Sequence, residues 1–113
     1  MVAAVKDLFF VARIRETARL TEVPVVFART ADDMRAALGE PARFVLVDLT
    51  TDLDHDALFA VIDATTPRPP VLGFTTHALA ATTKPWHARC DRVVTKETLT
   101  QELASLLKGG LAA

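Results

Sequence analysis

At 113 residues, of which 50% are hydrophobic, the chain has the length of one domain and enough apolar side chains to form a core without a cofactor or disulfide. A formal net charge of -1 argues against a nucleic-acid platform, because such domains usually carry a clear basic excess. A single cysteine excludes an internal disulfide, and with neither a secretory leader nor an apolar run of membrane-spanning length, a cytoplasmic location is expected.

Short apolar, β-favouring runs alternate with helical patterns along the chain. The predicted strands lie at 2–5, 23–28, 44–49, 71–74 and 92–94, and the predicted helices lie near 9–20, 31–38, 54–64, 85–88 and 99–108. Because most of these runs are apolar on both sides of the pleat, they indicate a parallel sheet covered by helices on both faces. The expected architecture is one doubly wound α/β domain over residues 1–113, with 109–113 as a frayed tail.

Local signals predict where two of the helices begin. Thr98 and Gln101 have capping-box spacing for the last helix, and the glycines at 109–110 provide its stop. The Lys84-Pro85 pair suits the first turn of a helix, which predicts a short, irregular fourth helix.

The first helix is predicted to be amphipathic. At about 100° per residue, one arc should face the sheet, formed by Phe10, Val11, Ile14 and Ala18. Phe9 and Leu20 fall outside this arc with Arg13 between them, so an apolar contact surface for a partner is one interpretation. Local packing of Phe9 under a loop is the other.

Polar side chains follow the predicted strands, at the edge where open α/β sheets gather their chemistry. They are Lys6 and Asp7 after the first strand, Asp48 and Thr50 after the third, Thr75 and Thr76 after the fourth, and Thr95 and Lys96 after the fifth. An acid, a hydroxyl and a lysine at one edge suit acyl-phosphate chemistry. The carboxylate attacks, the other two groups hold phosphoryl oxygens, and a second acid helps to bind Mg2+.

In the order and spacing of VKD, VDLT, VLGFTTH and CDRVVTKE, the chain resembles a response-regulator receiver domain of the chemotaxis-protein type, from residue 2 to about 108. The resemblance implies a flavodoxin-like fold with strand order 2-1-3-4-5. It also implies that Asp48 is the phosphoacceptor, Thr75 the switch hydroxyl and Lys96 the lysine of the fifth strand. Asp7, Asp48 and the backbone carbonyl of Thr50 would bind Mg2+.

Four departures from the receiver pattern suggest a degenerate domain. Lys6 replaces the first of the usual two acids, and it could pair with Asp48 in place of the metal. Val93 stands where receivers have an aromatic switch residue, and Glu97 stands where they commonly have proline. The loop LTTDLDHD lacks the usual proline and glycine. A phosphorylation-independent pseudo-receiver, with Lys6 neutralising Asp48, is therefore an equal alternative.

Each site residue also has a simpler interpretation. Asp48 could cap polar groups at the end of the sheet, Asp7 could be a helix N-cap, and Lys96 could be a solvated lysine. Thr75 could be a β-former whose hydroxyl faces loop backbone. The spacing of His87 and Cys90 invites a zinc hypothesis, but no fourth ligand is evident, and Cys90 is expected to pack as a small hydrophobe.

The resemblance implies a two-component signalling protein that works by protein contact. Its partner would be a histidine kinase or phosphotransferase that contacts Phe9 and Arg13, and receivers also form homodimers. Enzymatic activity would be limited to phosphoryl acceptance and autodephosphorylation. Neither nucleic acid nor membrane is an expected partner. A small flavodoxin-like nucleotide or flavin binder is the alternative from another class, disfavoured because the turn after the first strand contains no glycine.

Overall fold

The computed structural model describes residues 1–111 and contains one sheet of five parallel strands with helices on both faces. The strands are β1 (Val2–Ala4), β2 (Val26–Phe27), β3 (Val45–Asp48), β4 (Val71–Thr75) and β5 (Arg92–Thr95). The helices are α1 (Leu8–Thr21), α2 (Ala31–Ala37), α3 (His55–Ala64), α4 (Ala80–His87) and α5 (Lys96–Gly109), and a 3-10 turn, His77–Leu79, precedes α4.

The strand order is β2-β1-β3-β4-β5, which confirms the predicted fold class. Because β2 lies on one side of β1 and β3 on the other, the direction of winding reverses between β1 and β3. Asp48, the last residue of β3, lies opposite Phe74 of β4, and Thr75 lies opposite Thr95 of β5. The carboxyl ends of four strands are thus at one edge, with the reversal point beside Asp48.

Two apolar cores flank the sheet. Helices α1 and α5 cover one face, where Phe10, Ile14 and Leu103 pack against Leu46 and Phe74. Helices α2, α3 and α4 cover the other face. The arc predicted for α1 is confirmed, since its buried residues are Phe10, Val11, Ile14 and Ala18. Inward-pointing residues on both sides of the pleat explain why β1, β3 and β4 are almost continuously apolar.

The prediction for the fourth helix was too short. Helix α4 begins at Ala80, and Pro85 lies inside it rather than in its first turn. A proline there removes one helical hydrogen bond, but the helix ends only two residues later, so few hydrogen bonds depend on it. The preceding alanines and threonines have no apolar periodicity, and for that reason the pattern did not mark the start.

The start of the last helix was also predicted one turn too late. Thr95 is the N-cap of α5, and its hydroxyl accepts a hydrogen bond from the amide of Thr98 at 3.2 Å. Thr98 is therefore inside the helix. The predicted stop is confirmed, because Gly110 caps the helix with a φ of 72° and its amide donates to the carbonyl of Leu106 at 2.7 Å.

The ends of the sheet and chain differ modestly from expectation. Strand β2 is limited to two residues instead of 23–28, at the edge of the sheet, where Pro24 has no amide to donate. Of the expected frayed tail, 109–113, Gly109 belongs to α5 and Leu111 packs against the α1/α5 core. Residues 112–113 lie outside the described residues.

Candidate functional site

Asp48 is buried at the carboxyl end of β3, with 2% of its surface exposed. Its Oδ1 accepts hydrogen bonds from the amide of Thr50 at 2.8 Å and from the Thr50 hydroxyl at 2.6 Å. This local arrangement is typical of an aspartate that ends a strand and turns the following loop. Oδ2 accepts no hydrogen bond from the described residues, so one oxygen is left for chemistry.

Asp7 follows β1 and serves two groups at once. Its Oδ1 accepts from the amides of Phe9 at 2.9 Å and Phe10 at 3.3 Å, which confirms that it is the N-cap of α1. Its Oδ2 lies 3.2 Å from the ammonium of Lys96, at the start of α5. The hydrogen bond from Lys96, followed by the one from Phe10, lowers the pKa of Asp7 below its ordinary value.

Replacing Lys96 with methionine is expected to raise the pKa of Asp7 toward its ordinary value, because the largest cause of the shift is removed. An acid whose folded-state pKa is lowered stabilises the fold at neutral pH, and this contribution is lost as the pH falls through the lowered pKa. The difference in stability between the wild type and Lys96→Met should therefore shrink in acid. An NMR titration of the Asp7 carboxyl carbon measures the pKa directly.

Lys84→Met is the matched control, because Lys84 is an exposed lysine of α4. It should leave the titration of Asp7 unchanged. An Asp7 pKa that stays low in Lys96→Met would show that the helix amides, and not the lysine, determine it.

Lys6 is exposed, and its ammonium contacts a backbone carbonyl. Its Nζ donates to the backbone carbonyl of Asp52 at 3.3 Å, in the loop between β3 and α3. Asp48 already has Thr50 as its partner, and the ion pairs formed by residues 1–111 do not include one between Lys6 and Asp48. The neutralising pair suggested by the sequence is therefore not formed in this structure.

Thr75 ends β4 and is buried, with its hydroxyl facing α4. The Thr75 and Thr83 hydroxyl oxygens are 2.8 Å apart, and the Thr75 hydroxyl lies 3.4 Å from the carbonyl of Thr76. Thr83 in turn lies 2.9 Å from Nε2 of His87. Sequence analysis missed Thr83; a threonine eight residues after Thr75 on an alanine-rich helix was the available signal.

Sequence analysis also missed His55, which contacts the backbone of Asp48. His55 opens α3 and is buried, and its Nε2 lies 2.8 Å from the backbone carbonyl of Asp48. The His55 ring packs on Trp86 of α4 at a centroid distance of 5.3 Å, and Trp86 also stacks on Phe59. Trp86, the only tryptophan of the chain, is thus connected to the candidate site through His55.

The remaining predicted residues lie as follows. Phe9 is 91% exposed, its neighbour Leu8 is 72% exposed, and Arg13 is also exposed, so Phe9 is not packed under a loop. Val93 packs into the core covered by α2, α3 and α4, where it offers no aromatic ring. Cys90 packs into the same core, as predicted, and burial raises the pKa of its thiol to about 11.

The carboxylates at this edge allow a test of the Mg2+ expectation. Within residues 1–111, no group of three or more His, Cys, Asp or Glu side chains is arranged to hold a metal. Mg2+, however, is commonly held by one or two carboxylates together with waters and phosphate oxygens. Asp48, with an Oδ2 that accepts no hydrogen bond from the described residues, fits that chemistry when a phosphoryl group is also present. Asp7 would take part only by sharing or releasing the oxygen that now bonds Lys96.

Comparison with known proteins identifies the fold. No family model matches the sequence, and no curated protein is significantly similar to it. The receiver domain of the sensor histidine kinase PA1611 from Pseudomonas aeruginosa PAO1 aligns with a TM-score of 0.73 and 16% identity, over 95% of this chain and 92% of that one. The receiver domain of NtrX from Brucella abortus aligns with a TM-score of 0.68 and 19% identity, over 97% and 99%. The chain has the receiver fold.

At 16% and 19% identity, the likeness to these two structures establishes the architecture. The PA1611 receiver domain was crystallised with a magnesium ion coordinated in its active-site cleft. Among the described helices, none has the length and apolar character needed to cross a membrane.

Proposed function

We propose that this protein is a receiver-like signalling module that accepts a phosphoryl group on Asp48 from a phosphohistidine of a partner protein. The observation that supports the proposal most directly is the convergence of Asp48, the Asp7–Lys96 pair and Thr75 at the carboxyl edge of a receiver fold. A histidine kinase or phosphotransferase is the class of partner that presents such a group.

In the proposed transfer, an oxygen of Asp48 forms a new bond to phosphorus while the bond between phosphorus and the histidine nitrogen breaks. The histidine nitrogen keeps the electron pair, and the product is an acyl phosphate. Oδ2 is the oxygen without a hydrogen bond, so it is the proposed nucleophile. Lys96 would exchange part of its contact with Asp7 for a phosphoryl oxygen, and Thr75 would donate to another.

Mg2+, when bound by Asp7, Asp48 and the carbonyl of Thr50, would supply positive charge that offsets the charge of the phosphoryl oxygens. Oδ1 of Asp48 already accepts from the Thr50 hydroxyl at 2.6 Å, so a phosphodonor would meet Oδ2.

The exposed side chains at the start of α1 are the proposed partner surface. Leu8 and Phe9 directly follow Asp7, so a protein that docks on them has its reactive group beside the candidate site. Arg13 extends the same helix with a positive charge. An apolar centre with a charged rim is the usual composition of a protein–protein interface.

The burial of Asp48 favours a second candidate, a receiver-like module that binds its partner without phosphorylation. In this version Asp48 is a structural residue that ends β3 through Thr50. It does not depend on a pair between Lys6 and Asp48. A flavin or nucleotide site receives no support from any observation at this edge.

Incubation with Mg2+ and acetyl phosphate, followed by intact-mass analysis, tests the proposal. The wild type should gain one phosphoryl group, and Asp48→Asn should lose this gain because an amide cannot form the acyl phosphate. Asp52→Asn is the matched control, since Asp52 is an exposed acid of the same loop, and it should behave as the wild type. No gain by the folded wild type would favour the phosphorylation-independent candidate.

A further inference from the structure

A chain of three polar side chains connects the end of β4 to the last turn of α4. Thr75 and Thr83 are 4% and 2% exposed, and their hydroxyl oxygens are 2.8 Å apart. The Thr83 oxygen lies 2.9 Å from Nε2 of His87, whose ring is partly exposed on α4. The chain therefore runs from the candidate site to the surface of the protein.

The number of protons determines the direction of these hydrogen bonds. Each hydroxyl carries one proton, so each can donate only once. In the unmodified protein, the Thr75 hydroxyl can donate to the Thr83 oxygen at 2.8 Å or to the Thr76 carbonyl at 3.4 Å. The shorter distance makes the Thr83 oxygen the better acceptor. The Thr83 hydroxyl, having accepted from Thr75, has two possible acceptors, Nε2 of His87 at 2.9 Å and the carbonyl of Ala80 at 3.3 Å. The shorter contact favours donation to His87, and this donation requires an unprotonated Nε2.

A phosphoryl group on Asp48 imposes the opposite direction, because phosphoryl oxygens can only accept. If Thr75 donates its proton to the phosphoryl group, its oxygen becomes an acceptor for Thr83. Thr83 then has no proton left for His87 and must accept from it. The ring of His87 must therefore carry its proton on Nε2.

Resting on the proposed function, we infer that Thr83 is a positioning residue for Thr75 and that phosphorylation of Asp48 reverses this hydrogen-bond chain, leaving Nε2 of His87 protonated. The charge of a neutral imidazole does not change in the process, since Nδ1 releases a proton to water while Nε2 acquires one. The protonation of His87, on α4, thereby depends on whether Asp48 is phosphorylated. This route requires no aromatic residue at Val93.

The test is NMR detection of the histidine ring nitrogens in the full chain, with Mg2+, before and after addition of acetyl phosphate. Intact mass on the same sample records the phosphoryl gain. Nε2 of His87 should shift from the range of an unprotonated ring nitrogen to that of a protonated one. His77, an exposed histidine before α4, is the internal control and should not respond.

Two variants isolate the role of Thr83. Thr83→Val removes the hydroxyl at nearly the same volume and should abolish the response of His87, whereas Thr83→Ser keeps the hydroxyl and should restore it. A merely structural role would not separate these two variants by the His87 signal. If Thr83→Val does not fold, the His87 signal of the wild type still decides whether phosphorylation reverses the hydrogen-bond chain.

The outcomes separate this inference from the proposed function. A phosphoryl gain with an unchanged His87 signal would overturn the inference and leave the proposed function intact. A response that persists in Thr83→Val would overturn the role of Thr83. No phosphoryl gain by the folded wild type would overturn both.

Discussion

Leu46→Asp is expected to unfold the protein. Leu46 is fully buried in β3, the central strand, between Ala3 of β1 and Leu72 of β4. An aspartate there would place a carboxylate in the apolar core under α1 and α5 without a partner, or would force it to bind a proton. Such substitutions cost more than about 4 kcal/mol, which is comparable to the whole stability of a small domain, about 5–15 kcal/mol.

Thermal and urea unfolding followed by circular dichroism measures the effect. Leu20→Asp is the matched control, because Leu20 is 67% exposed on α1 and has little burial to lose. Its stability should stay within about 1 kcal/mol of the wild type, since an acid in the last turn opposes the helix dipole only weakly. If Leu46→Asp unfolded cooperatively at the temperature of the wild type, the assignment of β3 to the centre of the sheet would fail.

Lys6→Asp is expected to increase the affinity for Mg2+ and the rate of phosphoryl gain. The variant replaces a cation beside the candidate site with a second acid next to Asp7, and a unit charge pair at 4 Å in water is worth about 1 kcal/mol. Reversing one charge near a divalent ion should therefore tighten binding about tenfold or more, because about 1.4 kcal/mol corresponds to a factor of ten.

The fluorescence of Trp86 can be used to measure Mg2+ binding. Trp86 packs on His55, whose ring nitrogen lies 2.8 Å from the Asp48 carbonyl, so its fluorescence should respond to Mg2+ at the site. Arg13→Asp introduces the same change of charge further along α1 and is the control, with a much smaller effect. Equal responses of the two variants would mean that net charge, and not the position of Lys6, governs Mg2+ binding.

The fold could be predicted because its main signals are local. Runs such as 44–49 are apolar on both sides of the pleat except at Asp48, and the buried arc of α1 repeats at helical spacing. Both patterns depend only on the geometry of a single element. The positions of Asp48, Thr75 and Lys96 at one edge followed in turn, because parallel strands present their carboxyl ends together.

The partners of those residues could not be predicted, because they depend on how separate elements approach one another. Asp7 and Lys96 are 89 positions apart, and only the placement of β1, α1 and α5 brings their side chains within 3.2 Å. Likewise, Lys6 contacts the Asp52 carbonyl instead of Asp48, although Oδ2 of Asp48 accepts no hydrogen bond from the described residues.

The sequence by itself determined the five-stranded parallel architecture, the buried face of α1 and the edge at which polar residues gather. The tertiary structure decided the burial of Asp48, the start of α4 and the hydrogen-bond chain through Thr83. The physical reason is the separation along the chain of the residues that determine each property. Periodicity is a property of neighbouring residues, whereas burial and hydrogen-bond partners arise from the packing of helices on a sheet whose order the whole chain sets.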